Sequence, residues 1–326
     1  MNKRQEEILT CVVDHFIDSN QPMSSKMILE KSSIQLSSAS VRQVFSVLDQ
    51  QGYLEKRHTS SGRVPTDKGY RVYVDNIKGK TSSIRLDDVV TDQSYQMKFR
   101  YFFDQLLSKI VKKIPYISMI MLNNQALAGV ASLKYVSISS HYGLVLMFHN
   151  VGIVSEHYIR FETDISDCDS EALISWLQNE LNYQRYRIDI QAVFSGKDFH
   201  FLDAITASIF SASTQYEQSL LIKNVTQCLS LADYEEKSQV QDLLSVVDDH
   251  GGLSRLMKLG LDTNRLNVFI GQELQDPRLL QSSLISIPIC LDGLHVACLG
   301  ILGPTRMDYN SIIQLLSSSE TLAELI

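Results

Sequence analysis

The N-terminal fold is decided by residues 36–71, which read LSSASVRQVFSVLDQQGYLEKRHTSSGRVPTDKGYR. The first part of this stretch repeats apolar side chains at the i, i+3, i+4, i+7 spacing of a helix with one buried face, namely Val41, Val44, Phe45 and Leu48. Gly52 follows, and glycine is common where a chain leaves a helix with a positive φ. We therefore predict a helix from about Ser38 to Gln51 that leaves its opposite face free.

A β-ribbon is predicted directly after this helix. Residues 53–58 have the composition of a strand, residues 59–62 form a polar tip, and residues 63–65 return. Thr66 then caps a fourth helix with apolar side chains on one side, namely Tyr70, Tyr73, Val74 and Ile77. A ribbon placed after a three-helix unit is the wing of a winged helix-turn-helix.

Two helices upstream complete the three-helix unit. Residues 3–19 carry apolar side chains at helical spacing, and Asn20-Gln21-Pro22 ends this first helix. Ser24 or Ser25 offers an oxygen to the free N–H groups of a second, shorter helix. The order of elements over residues 1–78 therefore predicts a winged-helix DNA-binding domain.

The charge of the chain is distributed unevenly, in a way that favours DNA binding by its N-terminal part. The formal net charge is −7 overall. Residues 1–80 hold 12 Lys and Arg against 9 Asp and Glu, whereas the remainder holds 18 against 28. Between residues 52 and 71 the cations flank hydroxyl side chains, which suits phosphate contacts. These cations are Lys56, Arg57, Arg63, Lys68 and Arg71.

The candidate DNA-binding residues fall into two groups. On the third helix, hydrogen-bonding side chains are expected to reach base edges in the major groove, namely Ser38, Ser40, Arg42 and Gln43. On the ribbon, polar and basic side chains are expected to contact phosphate or the minor groove, namely Arg57, His58, Thr59, Ser60 and Arg63. The alternatives are a capping or turn role for each hydroxyl and a solvated face for the helix.

The remainder of the chain predicts an α+β body. Residues 79–94 are polar and turn-prone, as expected of a linker. Residues 95–165 predict a helix and three antiparallel strands, residues 166–261 are largely helical, and residues 262–326 predict three strands and a terminal helix. We therefore predict one discontinuous α/β domain, formed by 95–165 and 262–326, that carries 166–261 as an insertion.

Composition and the available motifs exclude several classes of protein. No run of residues approaches the roughly 18 to 20 apolar positions that span a bilayer, and the N-terminus does not resemble a signal peptide, so we expect a cytoplasmic protein with no membrane partner. The five cysteines form no C-x-x-C pair and are expected to be reduced. Because hydrolase, zinc-protease and complete nucleotide-binding motifs are missing, we expect no enzyme activity, no cofactor and no metal site.

Two long motifs resemble those of a known family, the heat-inducible transcription repressors called HrcA. Residues 58–71 resemble the wing signature of that family, and residues 36–42 with 52–55 are similar to its recognition-helix region. Residues 299–309, which read LGILGPTRMDY, resemble its C-terminal signature. Since these motifs lie near the two ends of the chain, the resemblance covers its full length.

The resemblance implies a fold and a function. The implied architecture is α+β, with an N-terminal winged helix-turn-helix, a GAF-like α/β domain and an inserted, mostly helical dimerisation domain. The implied function is repression of chaperone operons through an inverted-repeat operator on double-stranded DNA, which a two-fold homodimer matches in symmetry. Activity would depend on a GroE-type chaperonin. The alternative is a metabolite-sensing winged-helix regulator with a ligand site in the GAF-like domain.

Two finer expectations concern the body. Dimerisation is expected to use apolar faces of the insertion, where the candidate side chains are Phe201, Ile205, Ile209, Leu243, Leu244 and Val247; the alternative is that they belong to the core of one protomer. In the C-terminal signature, Arg306 is expected to pair with a nearby carboxylate such as Asp308 or to order backbone carbonyls, and the alternative is a small-molecule site.

Overall fold

The structure is a computed structural model. It describes residues 1–31, 36–56, 62–77, 83–86, 99–123, 130–149, 154–160, 220–263, 265–291 and 293–317. Helices and predominantly antiparallel sheets pack together in these parts of the chain, so the fold is α+β, as the sequence predicts.

The N-terminal part, which we call the head, comprises the described residues of 1–77. Its elements are α1 (Lys3–Ser19), α2 (Ser25–Lys31), α3 (Ser38–Gln50), β1 (Leu54–Glu55), β2 (Val64–Pro65) and α4 (Asp67–Ile77). The two strands are antiparallel, with Leu54 opposite Pro65 and Glu55 opposite Val64. The types and order of these elements agree with the sequence analysis.

Local signals set the ends of the head helices. The Asn2 side chain accepts a hydrogen bond from Gln5 N at 2.9 Å, and the Gln5 side chain accepts one from Asn2 N at 2.8 Å, which forms a capping box for α1. The same helix ends at Asn20, whose φ of 54° is left-handed. At the start of α3, Ser37 Oγ accepts from Ser40 N at 3.1 Å. Each contact joins residues that are close in sequence. This explains why the sequence predicts the positions of these helix ends.

The rest of the described chain, which we call the body, is built on a six-stranded sheet. Its strands are β3 (Ile84–Arg85), β4 (Ile117–Leu122), β8 (Leu220–Lys223), β9 (Asn267–Ile270), β10 (Ser282–Leu291) and β11 (Leu294–Pro304). The strand order is β3-β10-β11-β4-β8, and β9 also pairs with β10. All of these pairs are antiparallel except the pair of β3 with β10.

Helices cover both faces of this sheet. They are α5 (Phe99–Ile110), α6 (Val225–Leu229), α7 (Lys237–Asp248), α8 (His250–Asp262) and α9 (Tyr309–Ser317). One face packs against α6, α7 and α8 through side chains such as Leu253 and Met257. The other face packs against α5, α9 and the head. All ten residues of β10 are therefore buried.

A second, three-stranded antiparallel sheet is formed by β5 (Val130–Ser139), β6 (Tyr142–His149) and β7 (Val154–Arg160). These strands are predicted from the sequence as three antiparallel strands, and the structure has them as a meander. They are also predicted to share a domain with the C-terminal strands, whereas they form their own sheet here. Strand composition identifies a strand but carries no information about which distant strand it pairs with.

Residues 220–261 belong to the body sheet and its helices, although they are predicted to lie in a separate insertion. From the sequence they are predicted to lie in the insertion 166–261, but β8 joins the body sheet beside β4, and α8 packs on β10 and β11. In the same way, Ile84–Arg85 of the predicted linker 79–94 forms a strand parallel to Ile289–Cys290. Residues 161–219, which hold most of the predicted insertion, lie outside the described residues.

The cysteines are expected from the sequence to be reduced. Cys228, Cys290 and Cys298 are buried and lie outside any disulfide, and Cys11 is partly buried. Burial raises the pKa of Cys298 to about 12, so this thiol stays protonated and packs as a small apolar group.

Across the described parts of the chain, no helix combines the length and the apolar character needed to cross a membrane.

Candidate nucleic-acid interface

The third helix presents its predicted reading face to solvent. Arg42 and Gln43 are exposed, whereas Val41, Phe45 and Leu48 on the opposite side are buried. With 13 residues, α3 is about 20 Å long at 1.5 Å per residue. A helix of this size with one polar face fits a major groove about 12 Å wide.

The serines at the start of α3 form local hydrogen bonds. Ser40 donates its backbone N–H to Ser37, and the two hydroxyl oxygens are 2.9 Å apart. The Ser38 hydroxyl lies 3.4 Å from the hydroxyl of Ser25, which also accepts from Arg42 Nε at 3.4 Å. Ser37 is thus the cap of α3, and the candidate residue Ser40 contributes its backbone N–H and its hydroxyl to this local network. Ser25 is an additional member of the site, and its 17-residue separation from Arg42 leaves no local pattern that would reveal it.

The base of the ribbon is hydrogen-bonded to the segment between α1 and α2. Met23 N donates to Arg63 O at 2.9 Å, and Arg63 N donates to Met23 O at 2.8 Å. Gly62 permits this approach, because a Cβ at that position would overlap the Met23 carbonyl. The candidate residues Arg57, His58, Thr59 and Ser60 lie outside the described residues.

The Arg63 side chain joins the ribbon to α3. Its Nε is 2.8 Å from both carboxylate oxygens of Asp49, and its Nη2 is 2.8 Å from Asp49 Oδ2. The guanidinium carbon lies 5.6 Å from the centroid of the Phe45 ring. With 14% of the side chain exposed, the charge of Arg63 is used within the head of the free protein.

Two further cations of the predicted phosphate-binding cluster also have intramolecular partners. Lys68 Nζ donates to Gln51 O at 2.8 Å and lies 4.5 Å from the centroid of the Tyr53 ring. Arg71 forms an ion pair with Glu273, far along the chain in the body. Clustering in the sequence therefore overestimates how many of these cations are available for DNA, because their partners, a backbone carbonyl and a ring for Lys68 and a distant carboxylate for Arg71, are not visible in it.

The C-terminal signature lies against the head. Arg306 Nε donates to Asp233 Oδ1 at 2.5 Å, and Arg306 Nη1 donates to the carbonyl of Ile17 at the end of α1 at 2.9 Å. The expected kinds of partner are present, a carboxylate and a backbone carbonyl, although the carboxylate belongs to Asp233 and not to Asp308. In the same motif, Tyr309 is fully buried and donates to Thr305 O at 2.6 Å.

The candidate dimerisation residues divide between core and surface. Leu243 is buried in the core between the body sheet and its helices, and Val247 packs partly buried against it. Leu244 is exposed. Phe201, Ile205 and Ile209 lie outside the described residues.

Comparisons with known proteins point to one family. A family model described as the HrcA protein C-terminal domain matches residues 104–313. A heat-inducible transcription repressor HrcA from Brevibacillus brevis is 27% identical over 335 residues, which cover 97% of this chain and 95% of the relative. A protein of the same name from Chromobacterium violaceum is 26% identical over 333 residues, with 99% and 97% covered.

Among solved structures, the chain is similar in fold to a crystal structure described as a hypothetical protein at 2.2 Å resolution. The TM-score is 0.56 at 20% sequence identity, and the match covers 100% of this chain and 99% of the other.

Proposed function

This chain belongs to the HrcA family of heat-inducible transcription repressors, and from this premise we propose that it represses by binding an inverted-repeat operator on double-stranded DNA as a homodimer. Repression of this kind is a binding function, and the proposed mechanism requires no catalytic residue, cofactor or metal ion. We assign the head as its winged helix-turn-helix and the body sheet with its helices as its GAF-like domain.

The observation that carries the proposal is the exposed face of α3 beside an anchored ribbon. Arg42 and Gln43 are exposed on a helix whose opposite face is buried in the head, so DNA contact costs the head none of its core. Ser25 lies within hydrogen-bond reach of Arg42 and restrains its guanidinium. An arginine held in this way suits a bidentate contact with guanine O6 and N7. The candidate ribbon residues Arg57, His58, Thr59 and Ser60 would then contact the flanking backbone.

The charge distribution supports the same orientation on DNA. The N-terminal 80 residues carry an excess of three positive charges and the remainder an excess of ten negative charges. Because the phosphate backbone attracts the first part and repels the second, the head approaches DNA and the body stays away from it.

A homodimer is supported by an exposed apolar surface on the three-stranded sheet. We call this surface the outer sheet face; by strand register it comprises Ser132, Lys134, Val136, Tyr142, Leu144, Leu146, Phe148, Val154, Glu156 and Tyr158. Tyr158 is 72% exposed, and Val136, Tyr142 and Val154 are exposed as well. Grouped apolar side chains on one face are typical of an interaction surface.

The charges on the outer sheet face favour a second copy of the chain as the partner. Lys134 and Glu156 lie in the same cross-strand row, on opposite sides of Leu146. A two-fold axis parallel to the strands and above β6 would place Lys134 of one protomer opposite Glu156 of the other. An isologous interface requires self-complementarity of this kind.

We further propose that the active fraction depends on a GroE-type chaperonin. The body sheet pairs strands that are far apart in sequence, such as Ile84–Arg85 with Ile289–Cys290. Such topologies fold slowly and expose apolar segments on the way, which makes them chaperonin substrates. If denatured repressor recovers full operator binding equally well with and without chaperonin and ATP, the proposed dependence is wrong.

The test of operator binding is an electrophoretic mobility shift with an inverted repeat, a single half-site and a scrambled duplex at several salt concentrations. We expect the inverted repeat to bind at least about 1,000-fold more tightly than scrambled DNA, with affinity falling steeply as salt rises. Equal affinity for all three duplexes would contradict the proposal. A thermal-shift screen with small metabolites, run in parallel, tests the ligand-sensing alternative.

A further inference from the structure

The head and the body share one hydrophobic core. A single cluster of buried side chains includes Phe45 and Val74 from the head together with Ile287 and Tyr309 from the body. In the same region, the ring centroids of Tyr70 in α4 and Tyr309 in α9 are 6.0 Å apart. The head is therefore docked on the body in this structure, whereas the sequence predicts a linker between them.

A polar lock connects α4 to the turn after β9. Arg71 Nε donates to Glu273 Oε1 at 2.9 Å, Arg71 Nη2 also pairs with Glu273 Oε2, and the same Nη2 donates to Val268 O at 2.6 Å. Glu273 Oε2 accepts from Ile270 N at 2.9 Å, so the turn itself orients the carboxylate. Bidentate pairing of this kind fixes orientation as well as distance.

The backbone of the body approaches α4 closely at the same place. Gln272 N donates to Asp67 Oδ2, at the start of α4, at 3.3 Å. Gly271 has a φ of 49°, and a Cβ added there would overlap the Asp67 carboxylate. A side chain at position 271 would therefore push the Asp67 carboxylate aside and break its hydrogen bond from Gln272 N.

A second lock connects α1 to the C-terminal signature. The last carbonyl groups of a helix lack intrahelical partners and attract cations, yet α1 has no basic residue in its last turn. Arg306 supplies the cation from the body through its bond to Ile17 O. Its pairing with Asp233 is largely shielded from solvent, with 18% of the Arg306 side chain and 14% of the Asp233 side chain exposed.

We propose that Arg71, Glu273 and Arg306 are positioning residues for operator recognition. By fixing each head on its body, they let the geometry of the dimer set the spacing and rotational phase of the two half-sites that the repressor accepts. This inference rests on the operator binding proposed above. By its length alone, the chain between the head and β3, residues 78–83, limits the distance between them.

The proposal follows from the geometry of DNA. Each base pair inserted between half-sites moves them apart by about 3.4 Å and rotates one relative to the other by about 35°. Heads locked on a dimer cannot follow such a rotation, so the second half-site is lost. A dimer that engages one half-site forfeits the gain from bivalency, which is commonly about 100-fold or more.

The experiment measures full-length protein on duplexes whose half-site spacing varies from two base pairs fewer to two base pairs more than the best one. The variants are Glu273→Gln, which removes the charge but keeps an acceptor for Ile270 N, and Gly271→Ala, whose Cβ displaces the Asp67 carboxylate at the start of α4 without removing a polar group. Asp242→Asn, an exposed carboxylate change on α7, is the matched control. Affinity for a single half-site shows that each variant retains an intact reading surface, and thermal unfolding shows that it is folded.

For the wild type and Asp242→Asn we expect affinity to fall about 100-fold when two base pairs are inserted. For Glu273→Gln and Gly271→Ala we expect that fall to shrink to about tenfold or less, with unchanged affinity for the single half-site. A wild type that selects one spacing, together with two folded variants that select it equally well, overturns the inference and leaves operator binding intact. A wild type that binds all spacings with equal affinity also overturns the inference and leaves operator binding intact. A wild type that does not prefer the inverted repeat overturns the proposed function, and the inference fails with it.

Discussion

Asp49 and Arg63 form a bidentate ion pair that joins the third helix of the head to the second strand of the ribbon. The sequence places Arg63 next to a glycine at the tip of a wing, where an arginine is free to enter a minor groove. In the structure its guanidinium is occupied by a carboxylate 14 residues upstream and rests beside Phe45. This pair sets the angle between the two surfaces that are proposed to meet DNA.

The first prediction separates a positioning role of Arg63 from direct contact with DNA. Arg63→Ala and Asp49→Ala should each lower the free energy of unfolding, by about 1.5–3 kcal/mol for a charge-assisted pair. If Arg63 acts by holding the ribbon, both variants weaken operator binding to a similar degree. Urea unfolding and mobility shifts on the two single variants and the double variant measure the coupling. Operator binding that survives in Asp49→Ala but is lost in Arg63→Ala would assign Arg63 to DNA.

The second prediction concerns base reading by α3. Arg42→Ala should weaken specific operator binding by about 1–3 kcal/mol, which corresponds to a factor of roughly 5 to 150, while binding to scrambled DNA changes much less. Arg42→Lys keeps the charge but loses the planar fork, so it should resemble alanine on the operator and the wild type on scrambled DNA. Competition binding with both duplexes measures the ratio. An equal loss on the two duplexes would reduce Arg42 to a phosphate contact.

The third prediction locates the dimer interface. Tyr158→Glu on the outer sheet face should raise the dissociation constant of the dimer about 30-fold or more, as expected for a hot spot worth about 2 kcal/mol. Leu244→Glu on α7 introduces the same charge at another exposed apolar side chain, where the sequence analysis places dimerisation. Sedimentation velocity over a range of concentrations compares the two variants. If Leu244→Glu dissociates the dimer and Tyr158→Glu does not, the interface lies on α7 and not on the outer sheet face.

The fourth prediction is a dependence of stability on pH. Hydrogen bonds from the Arg278 side chain hold the pKa of Asp276 below its ordinary value, and the backbone N–H of Gly252 together with Arg278 does the same for Asp249. A lowered pKa in the folded state stabilises the protein above the ordinary pKa near 3.8, and this contribution is lost as the pH falls through the lowered value. Both groups therefore stabilise the fold at neutral pH.

Arg278→Met should remove this contribution. We expect the variant to be less stable than the wild type at pH 6, and the difference to shrink as the pH is lowered from 4 towards 3. Urea unfolding at each pH measures it, with the exposed Arg265→Met as the control. Parallel stability curves for wild type and Arg278→Met would mean that the ion pairs contribute nothing that depends on pH.

Much of the head was predictable from the sequence because its signals are local. The i, i+3, i+4, i+7 spacing from Val41 to Leu48 fixes which side of α3 is buried, and hence that Arg42 and Gln43 face outward. The capping box at Asn2 and the serine cap at Ser37 lie within three residues of their partners. The α+β class and the resemblance to the HrcA family also follow from patterns that the sequence displays directly.

The partners of the arginines and the order of the strands were decided only by the tertiary structure. Arg63, Arg71 and Arg306 look alike in the sequence, yet one joins two parts of the head and the other two join the head to the body. In the same way, β8 reads as part of an insertion but pairs with β4 about 100 residues away. Helix periodicity and caps depend on residues that are neighbours in the sequence, so they can be predicted from the sequence alone. Ion pairs and sheet order depend on which distant segments share a core, and that is settled by the energy of the whole packed chain.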